Sequence, residues 1–353
     1  MSASAMPQTQ PLSERDRLDL PALDRLLADT LPDYAGALEA SRFPGGFSNP
    51  TYLLAFARRD GAPGRLVLRK KPAGVLLPSA HQVDREYGIL GALAGSGVPV
   101  PAPVLSRPDG NPVLGEAFYL MSHVEGRIFT DPTLPGLTPA ERGAVFDAMN
   151  AALARLHTLD HRALGLAGFE RPGPFLARQV ERWTRQYRAA QTGEIAAMER
   201  LIAWLPRHLP EDGPLVITHG DYKLANLVVH PREPRVAAVL DWELWTIGHP
   251  LCDLAFNCLA WHLAEPPSGL VGHDLGALGM PDEAAYVAAY CERVGREPPA
   301  DWAFYIAFNL FKLAAILQGV YRRALDGTAA SPQSLARGAL AAQRAELAWQ
   351  LVS

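Results

Sequence analysis

The stretch His219-Gly-Asp-Tyr-Lys-Leu-Ala-Asn226, with Leu227-Val-Val229 directly behind it and Leu240-Asp241-Trp242-Glu243 further on, decides how the rest of the chain is read. Leu215-Val-Ile-Thr218 before it has the pattern of a short buried strand. Leu227-Val-Val229 and Val236-Ala-Ala-Val-Leu240 are two further apolar runs, and His230-Pro-Arg-Glu-Pro234 between them supplies the turn residues of a hairpin. These strands are expected to bring Asp221, Asn226 and Asp241 to one end of a small sheet.

Each of those residue types suits a task. Asp221 and Asn226 have the spacing of base and metal ligand in the loop H-R-D-x-x-x-x-N. A carboxylate at 221 can orient a hydroxyl and take its proton while a phosphoryl group transfers. Mg²⁺ prefers oxygen ligands, so the Asn226 amide oxygen and the Asp241 carboxylate suit ions that bridge the phosphates of ATP. Lys223 can place positive charge on the group in transit. An ordinary turn also uses Asp, Gly and Asn. The strand-like flanks, and a carboxylate ending the next strand, favour phosphoryl transfer.

Composition sets the frame. The 353 residues are 48% hydrophobic and 20% charged, enough for a sizeable core in a globular protein. A net charge of -4 and a pI near 6.2 give no sign of a nucleic-acid partner. Cys252, Cys258 and Cys291 form neither a C-x-x-C pair nor a disulfide framework, so reduced thiols and a cytoplasmic location are expected. No apolar run approaches the ~18 residues of a membrane span, and no membrane association is expected. Residues 1–12 lack the pattern of a signal peptide and are expected to be disordered.

Residues 13–31 are expected to be helical, with Leu18, Leu23, Leu26 and Leu27 on the buried face. In Phe43-Pro-Gly-Gly-Phe-Ser-Asn-Pro-Thr-Tyr52 the Gly45-Gly46 pair fits a hairpin turn, and its backbone N–H groups fit a phosphate cradle equally well. Arg65-Leu-Val-Leu-Arg-Lys-Lys71 is a strand ending in cations. Alternation puts Arg69 on the Val67 face, which makes it the choice for a phosphate contact, with Lys70 opposite and Lys71 back on the Arg69 side. Residues 79–93 follow as a helix on which Glu86 can pair with that cation. Val98-Pro-Val-Pro-Ala-Pro103 is an extended connector. Ala117–Met121 is a strand, and residues 122–126 form a hinge where backbone of Met121, Ser122 and His123 can read adenine.

Beyond the hinge the chain is expected to be mostly helical, over residues 139–159, 175–189, 254–262, 301–324 and 334–351. Asp253 is placed to cap the third of these helices, and residues 266–280 form a loop.

Taken together, the chain resembles the aminoglycoside phosphotransferase family of kinase-like enzymes over about residues 40–330. Gly45-Gly-Phe-Ser-Asn-Pro-Thr-Tyr52, Val67-Leu-Arg-Lys-Lys-Pro72, Arg85-Glu-Tyr87, Val124-Glu-Gly-Arg-Ile-Phe129 and Leu317-Gln-Gly-Val-Tyr321 are similar to a branch also found as the kinase-like domain of acyl-CoA dehydrogenase fusion proteins. The resemblance implies an α+β, bilobal protein-kinase-like fold, with an antiparallel sheet and helix in an N-lobe over 13–121 and a mostly helical C-lobe over 122–353. It implies ATP and Mg²⁺ as cofactors, Asp221 as base with Lys223 beside it, and Asn226 and Asp241 as metal ligands. Gly45, Gly46, Ser48 and Asn49 match the phosphate loop, and Glu86 the helix carboxylate. Arg69 stands where protein kinases carry lysine, with neighbouring Lys70 the alternative for that place, Trp242-Glu243 follows Asp241 in place of Phe-Gly, and no Ala-Pro-Glu follows. With no activation segment to dock a protein, a small-molecule hydroxyl acceptor is expected. The branch points to a hydroxyacyl-CoA. An amino sugar or amino alcohol is the alternative acceptor, and a non-catalytic nucleotide-binding protein the alternative class.

Overall fold

The structure is a computed structural model, and it describes residues 9–44, 49–72, 82–264, 269–327 and 334–353. Alternating apolar residues in the first third build one antiparallel sheet. Its strands are β1 (Gln10–Pro11), β2 (Glu39–Arg42), β3 (Thr51–Ala57), β4 (Pro63–Lys70), β5 (Pro103–Arg107) and β6 (Phe118–Ser122), in the order β1-β2-β3-β4-β6-β5. Tyr52, Leu54, Leu66, Leu68, Phe118 and Leu120 form a core with Leu23 and Leu27 of helix α1 (Leu20–Thr30). The cross-strand pairs Val67–Met121 and Arg69–Tyr119 occupy the other face, as period-two alternation requires.

Two expectations at this end are corrected. Gln10 and Pro11 pair with Arg42 and Ser41 in a ladder, within the stretch 1–12 expected to be disordered, while residues 1–8 lie outside the described set. The helix expected from 13 begins at Leu20. Pro21 has no N–H and fits only a first turn, and Asp19 accepts the Ala22 N–H at 2.9 Å. Glu14–Asp16 form a separate 3-10 turn.

The chain forms two compact units. The first holds the described residues up to Thr130, together with Leu134–Ala152 and Leu224–Leu244. It contains the sheet, α1, α2 (Val83–Leu93), most of α3 (Pro139–His157) and a second ladder. The second unit holds Asp131–Thr133, Leu153–Lys223 and the described residues from Trp245 on. It contains α4 (Phe175–Ala190), α5 (Ala196–Trp204) and β7 (Val216–Thr218), to which the later elements of the chain are added.

Residues 134–152 and 224–244, expected in the C-lobe, thus group with the sheet, and for 224–244 backbone pairing explains why. The second ladder joins β8 (Leu227–Val229) to β9 (Val236–Val239). Arg127 and Val229 exchange both backbone hydrogen bonds, at 2.7 and 2.8 Å, and Val239 N–H donates to Pro99 at 2.8 Å. Gly126 lets the strands approach: a Cβ there would lie 2.4 Å from the Val229 carbonyl oxygen.

The expected single small sheet is two. β7 pairs not with β8 but with β10 (Thr246–Gly248), inside the second unit. That strand is three residues long and escaped the apolar-run criterion. Helix α6 (Pro250–Cys258) starts four residues before the expected 254, because Pro250 occupies its first turn and His249 Nδ1 accepts the Leu251 N–H at 3.3 Å. Asp253 therefore lies inside the helix and does not cap it. The expected loop at 266–280 contains α7 (Leu275–Leu278), capped by Asp274, and α8 (Glu283–Val294) follows.

Helix α9 (Trp302–Leu325) is long and apolar enough to cross a membrane by length and composition, contrary to the expectation that no run qualifies. Its residues from Phe304 to Phe311 are all buried, packed among α4, α6, α10 (Ser334–Ala339) and α11 (Ala341–Gln350), so a core position accounts for its composition.

Candidate active site

In the first unit the site grows from the polar end of β4. Alternation turns Arg69 away from the α1 core, where its guanidinium meets three carboxylates. Nε lies 2.8 Å from Glu86 Oε2, and Nη2 lies 2.7 Å from Asp241 Oδ1 and 3.3 Å from Glu243 Oε2. The Nε–H does not aim at the Glu86 oxygen, so that contact is an ion pair without a formed hydrogen bond. Burial pulls the guanidinium pKa down, but Glu86 and Asp241 outweigh it and hold Arg69 above its usual value.

Glu86, buried on α2, accepts from Asn49 Nδ2 at 2.7 Å and from the Tyr119 hydroxyl at 3.0 Å. Burial pushes its carboxyl up to about 7 against the opposing pull of Arg69. The neighbouring cations are engaged elsewhere. Lys70 pairs with Glu116 at 2.8 Å and Lys71 with Asp109 at 2.6 Å, which leaves Arg69 as the cation of this face.

Asp241 follows β9 with φ of 64°, a left-handed conformation that a non-glycine residue adopts at a cost. The turn buries Trp242, whose indole N–H donates to the Val239 carbonyl at 3.0 Å. One residue earlier, Leu240 N–H donates to the Asn226 carbonyl at 2.8 Å and ties the two candidate metal ligands together. Arg69, Met121, Ser122, His123, Asn226 and Asp241 all open onto one cavity of about 210 Å³ within this unit. The ladder with β4 stops at Ser122, so His123 leaves the sheet there. Burial and Arg65 lower the His123 pKa and favour its neutral form.

Gly45, Gly46 and Ser48 lie outside the described residues. Asn49 is fully buried and spends its side-chain amide on Glu86, a supporting position instead of the expected ligand contact. Glu86 likewise does not line the cavity.

In the second unit the loop after β7 is fixed group by group. Asp253 accepts the N–H of His219 at 2.5 Å and of Gly220 at 2.7 Å. His219 Nδ1 accepts the Asp221 N–H at 3.2 Å, and Lys312 Nζ donates to the Gly220 carbonyl at 2.8 Å. Gly220 has φ of +83°, which glycine adopts freely. Burial opposes the Asp253 charge, but His157, His219 and the Gly220 amide hold its carboxyl below the usual range. His157 is positioned in turn by the Tyr290 hydroxyl, 2.6 Å from Nδ1. Asp221 meets Lys223 Nζ at 2.7 and 3.0 Å, so the lysine sits on the carboxylate.

Asp253, His157 and Lys312 are thus part of the framework around Asp221, and sequence reasoning gave none of them that place. A signal existed for Asp253, an acid inside a mostly apolar helix.

The donor chemistry fits Mg²⁺ carried by a nucleotide. Among the described residues no group of three or more His, Cys, Asp or Glu could hold a metal ion alone. Two oxygen donors, Asn226 and Asp241, share the cavity with Arg69. Mg²⁺ at phosphate sites commonly takes one or two protein oxygens and completes its shell with phosphate and water.

Residues 39–304 match the model of the phosphotransferase enzyme family. Acyl-CoA dehydrogenase family member 10 of Mus musculus is 45% identical over 352 residues, covering 99% of this chain and 32% of that protein. Family member 11 of Rattus norvegicus is 42% identical over 326 residues, covering 90% of this chain and 41% of its own length. The chain therefore spans about a third to two fifths of those relatives. A solved structure from Ralstonia eutropha JMP134, provisionally named an aminoglycoside phosphotransferase, is 43% identical with a TM-score of 0.84, covering 95% of this chain and 98% of that one. The match over residues 39–304 and the structural similarity over 95% of the chain lead to one assignment: the chain belongs to the phosphotransferase enzyme family and has its kinase-like fold.

Proposed function

We propose that the chain moves the γ-phosphoryl group of Mg-ATP to a hydroxyl of a small molecule, and that this acceptor is a hydroxyacyl-CoA. The observation that carries the proposal is the opening of Asp241, Asn226 and Arg69 onto one cavity, with Glu86 buried behind the guanidinium. Arg69 offers its guanidinium to the phosphates, and Glu86 keeps it oriented. Backbone from Met121 to His123 borders the base. Asn226 and Asp241 would hold Mg²⁺, which when bound neutralises charge on the phosphates.

Asp221 orients the acceptor hydroxyl. As the acceptor oxygen bonds to the γ-phosphorus, the bond from that phosphorus to the β–γ bridging oxygen breaks, ADP leaves, and the hydroxyl proton passes to the Asp221 carboxylate. Lys223, already on that carboxylate, would place positive charge on the group in transit.

The names of the relatives support the acyl-CoA acceptor. The name of the Ralstonia structure favours an amino sugar as the second reading. The chain carries all of Asp221, Asn226 and Asp241 in its sequence, which argues against a non-catalytic role. The test is incubation with Mg-ATP and a panel of hydroxyacyl-CoAs, amino sugars and amino alcohols, read by product mass. A phosphorylated hydroxyacyl-CoA is expected. Phosphorylation of amino sugars alone would overturn the acceptor.

A further inference from the structure

Helix α4 carries several arginines, and most are engaged. Arg185 pairs with Glu181, Arg188 pairs with Glu199 at 2.5 Å, and Arg178 donates to the Pro172 carbonyl at 2.8 Å. Arg182 differs. Its guanidinium lies 5.2 Å from the centre of the Trp183 ring, and among the described residues no carboxylate stands within ion-pair distance.

Lys312 of α9 comes to the same indole. Its ammonium is 5.7 Å from the Trp183 ring centre and 4.8 Å from that of Phe256. Of its three N–H groups one is taken among the described residues, by the Gly220 carbonyl, the residue before Asp221. Burial pulls the lysine below its usual pKa even with Asp221 and Asp253 nearby. Arg182 is exposed, and Arg171 adds like charge near it. Two cations thus converge on one ring near Asp221, and the Arg182 guanidinium is exposed, so an anion arriving from solution can reach it.

We infer that Arg182 and Lys312, set on Trp183 beside Asp221, form an anion-recognising acceptor subsite, so that the acceptor carries an oxyanion near the hydroxyl it presents. The inference rests on Asp221 being the base of a phosphotransferase and deepens that reading. A carboxylate of a hydroxy acid and a phosphate of a coenzyme A conjugate both fit, since a guanidinium fork and an ammonium bind either. A cationic amino sugar would meet like charge and be rejected.

The experiment is isothermal titration of the full chain under saturating Mg-ADP, which keeps probe anions off the nucleotide phosphates. The probes are 3-hydroxybutyrate, coenzyme A and glucosamine, and the proteins are wild type, Arg182→Gln and Arg182→Lys. Wild type is expected to bind 3-hydroxybutyrate, coenzyme A or both, and not glucosamine. Binding of 3-hydroxybutyrate assigns a carboxylate, and binding of coenzyme A alone a phosphate. Arg182→Gln should weaken the anion at least about tenfold and Arg182→Lys less, with Mg-ADP affinity and melting temperature unchanged in both. Wild type that binds neither anion, or Arg182→Gln that binds as tightly as wild type, overturns the inference. If Mg-ADP still binds in those cases, the phosphotransferase reading survives. If wild type fails to bind Mg-ADP, that reading falls as well.

Discussion

Asp253 carries a negative charge into the interior of the second unit, where two backbone amides and His157 compensate it. Replacing it with alanine strands the amides of His219 and Gly220 and leaves His157 without its carboxylate. Asp253→Ala should cost about 3–5 kcal/mol, read as a lower urea midpoint at unchanged slope. An unchanged midpoint would show that the loop does not depend on it. Asp241 presents a different balance, because its carboxylate is held by a left-handed backbone. Asparagine tolerates that conformation and alanine does not. Both substitutions should abolish turnover, but Asp241→Ala should be less stable than Asp241→Asn by about 1 kcal/mol in chemical denaturation. Equal stabilities would mean that the turn carries no strain.

The elements show what the sequence can disclose and where it falls short. Alternation along β4 was enough to put Arg69 on the Val67 face and Lys70 away from it, because side-chain period in a strand is local. The hairpin of β8 and β9 was legible from two apolar runs and a Pro-rich turn. The partner of β7 was not. Nothing local in Thr246-Ile247-Gly248 marks a strand, and its pairing is set by tertiary contact. The place of Asp253 was missed for the same reason, since its partners lie more than thirty residues away in sequence. Gly126 tests the packing of the hairpin directly. A Cβ there would lie 2.3 Å from Val228 Cγ1 and 2.4 Å from the Val229 oxygen, so β8 must move. Gly126→Ala should cost about 1–3 kcal/mol and weaken nucleotide binding, because Asn226 directly precedes β8. A variant of wild-type stability would show that the hairpin yields freely.

At the scale of the whole molecule, acid stability is tied to a buried histidine. Burial, assisted by Arg296, lowers the His249 pKa from 6.5 to about 4. The folded protein therefore holds its proton less tightly than the unfolded chain. The stability this contributes is present above pH 6.5 and is lost as pH falls from there toward 4. The loss is on the order of 3 kcal/mol. His249→Asn keeps a helix-capping side chain without the titration, and denaturation at neutral and acid pH should show a shallower decline than in wild type. An equal decline would assign the acid sensitivity to other groups. The central claim concerns chemistry and calls for one paired measurement: Mg-ATP affinity and acceptor-dependent ADP release for wild type and Asp221→Asn. The variant should bind Mg-ATP as wild type does, while release falls by roughly 10²–10⁴-fold. ADP release at the wild-type rate from Asp221→Asn would contradict the account.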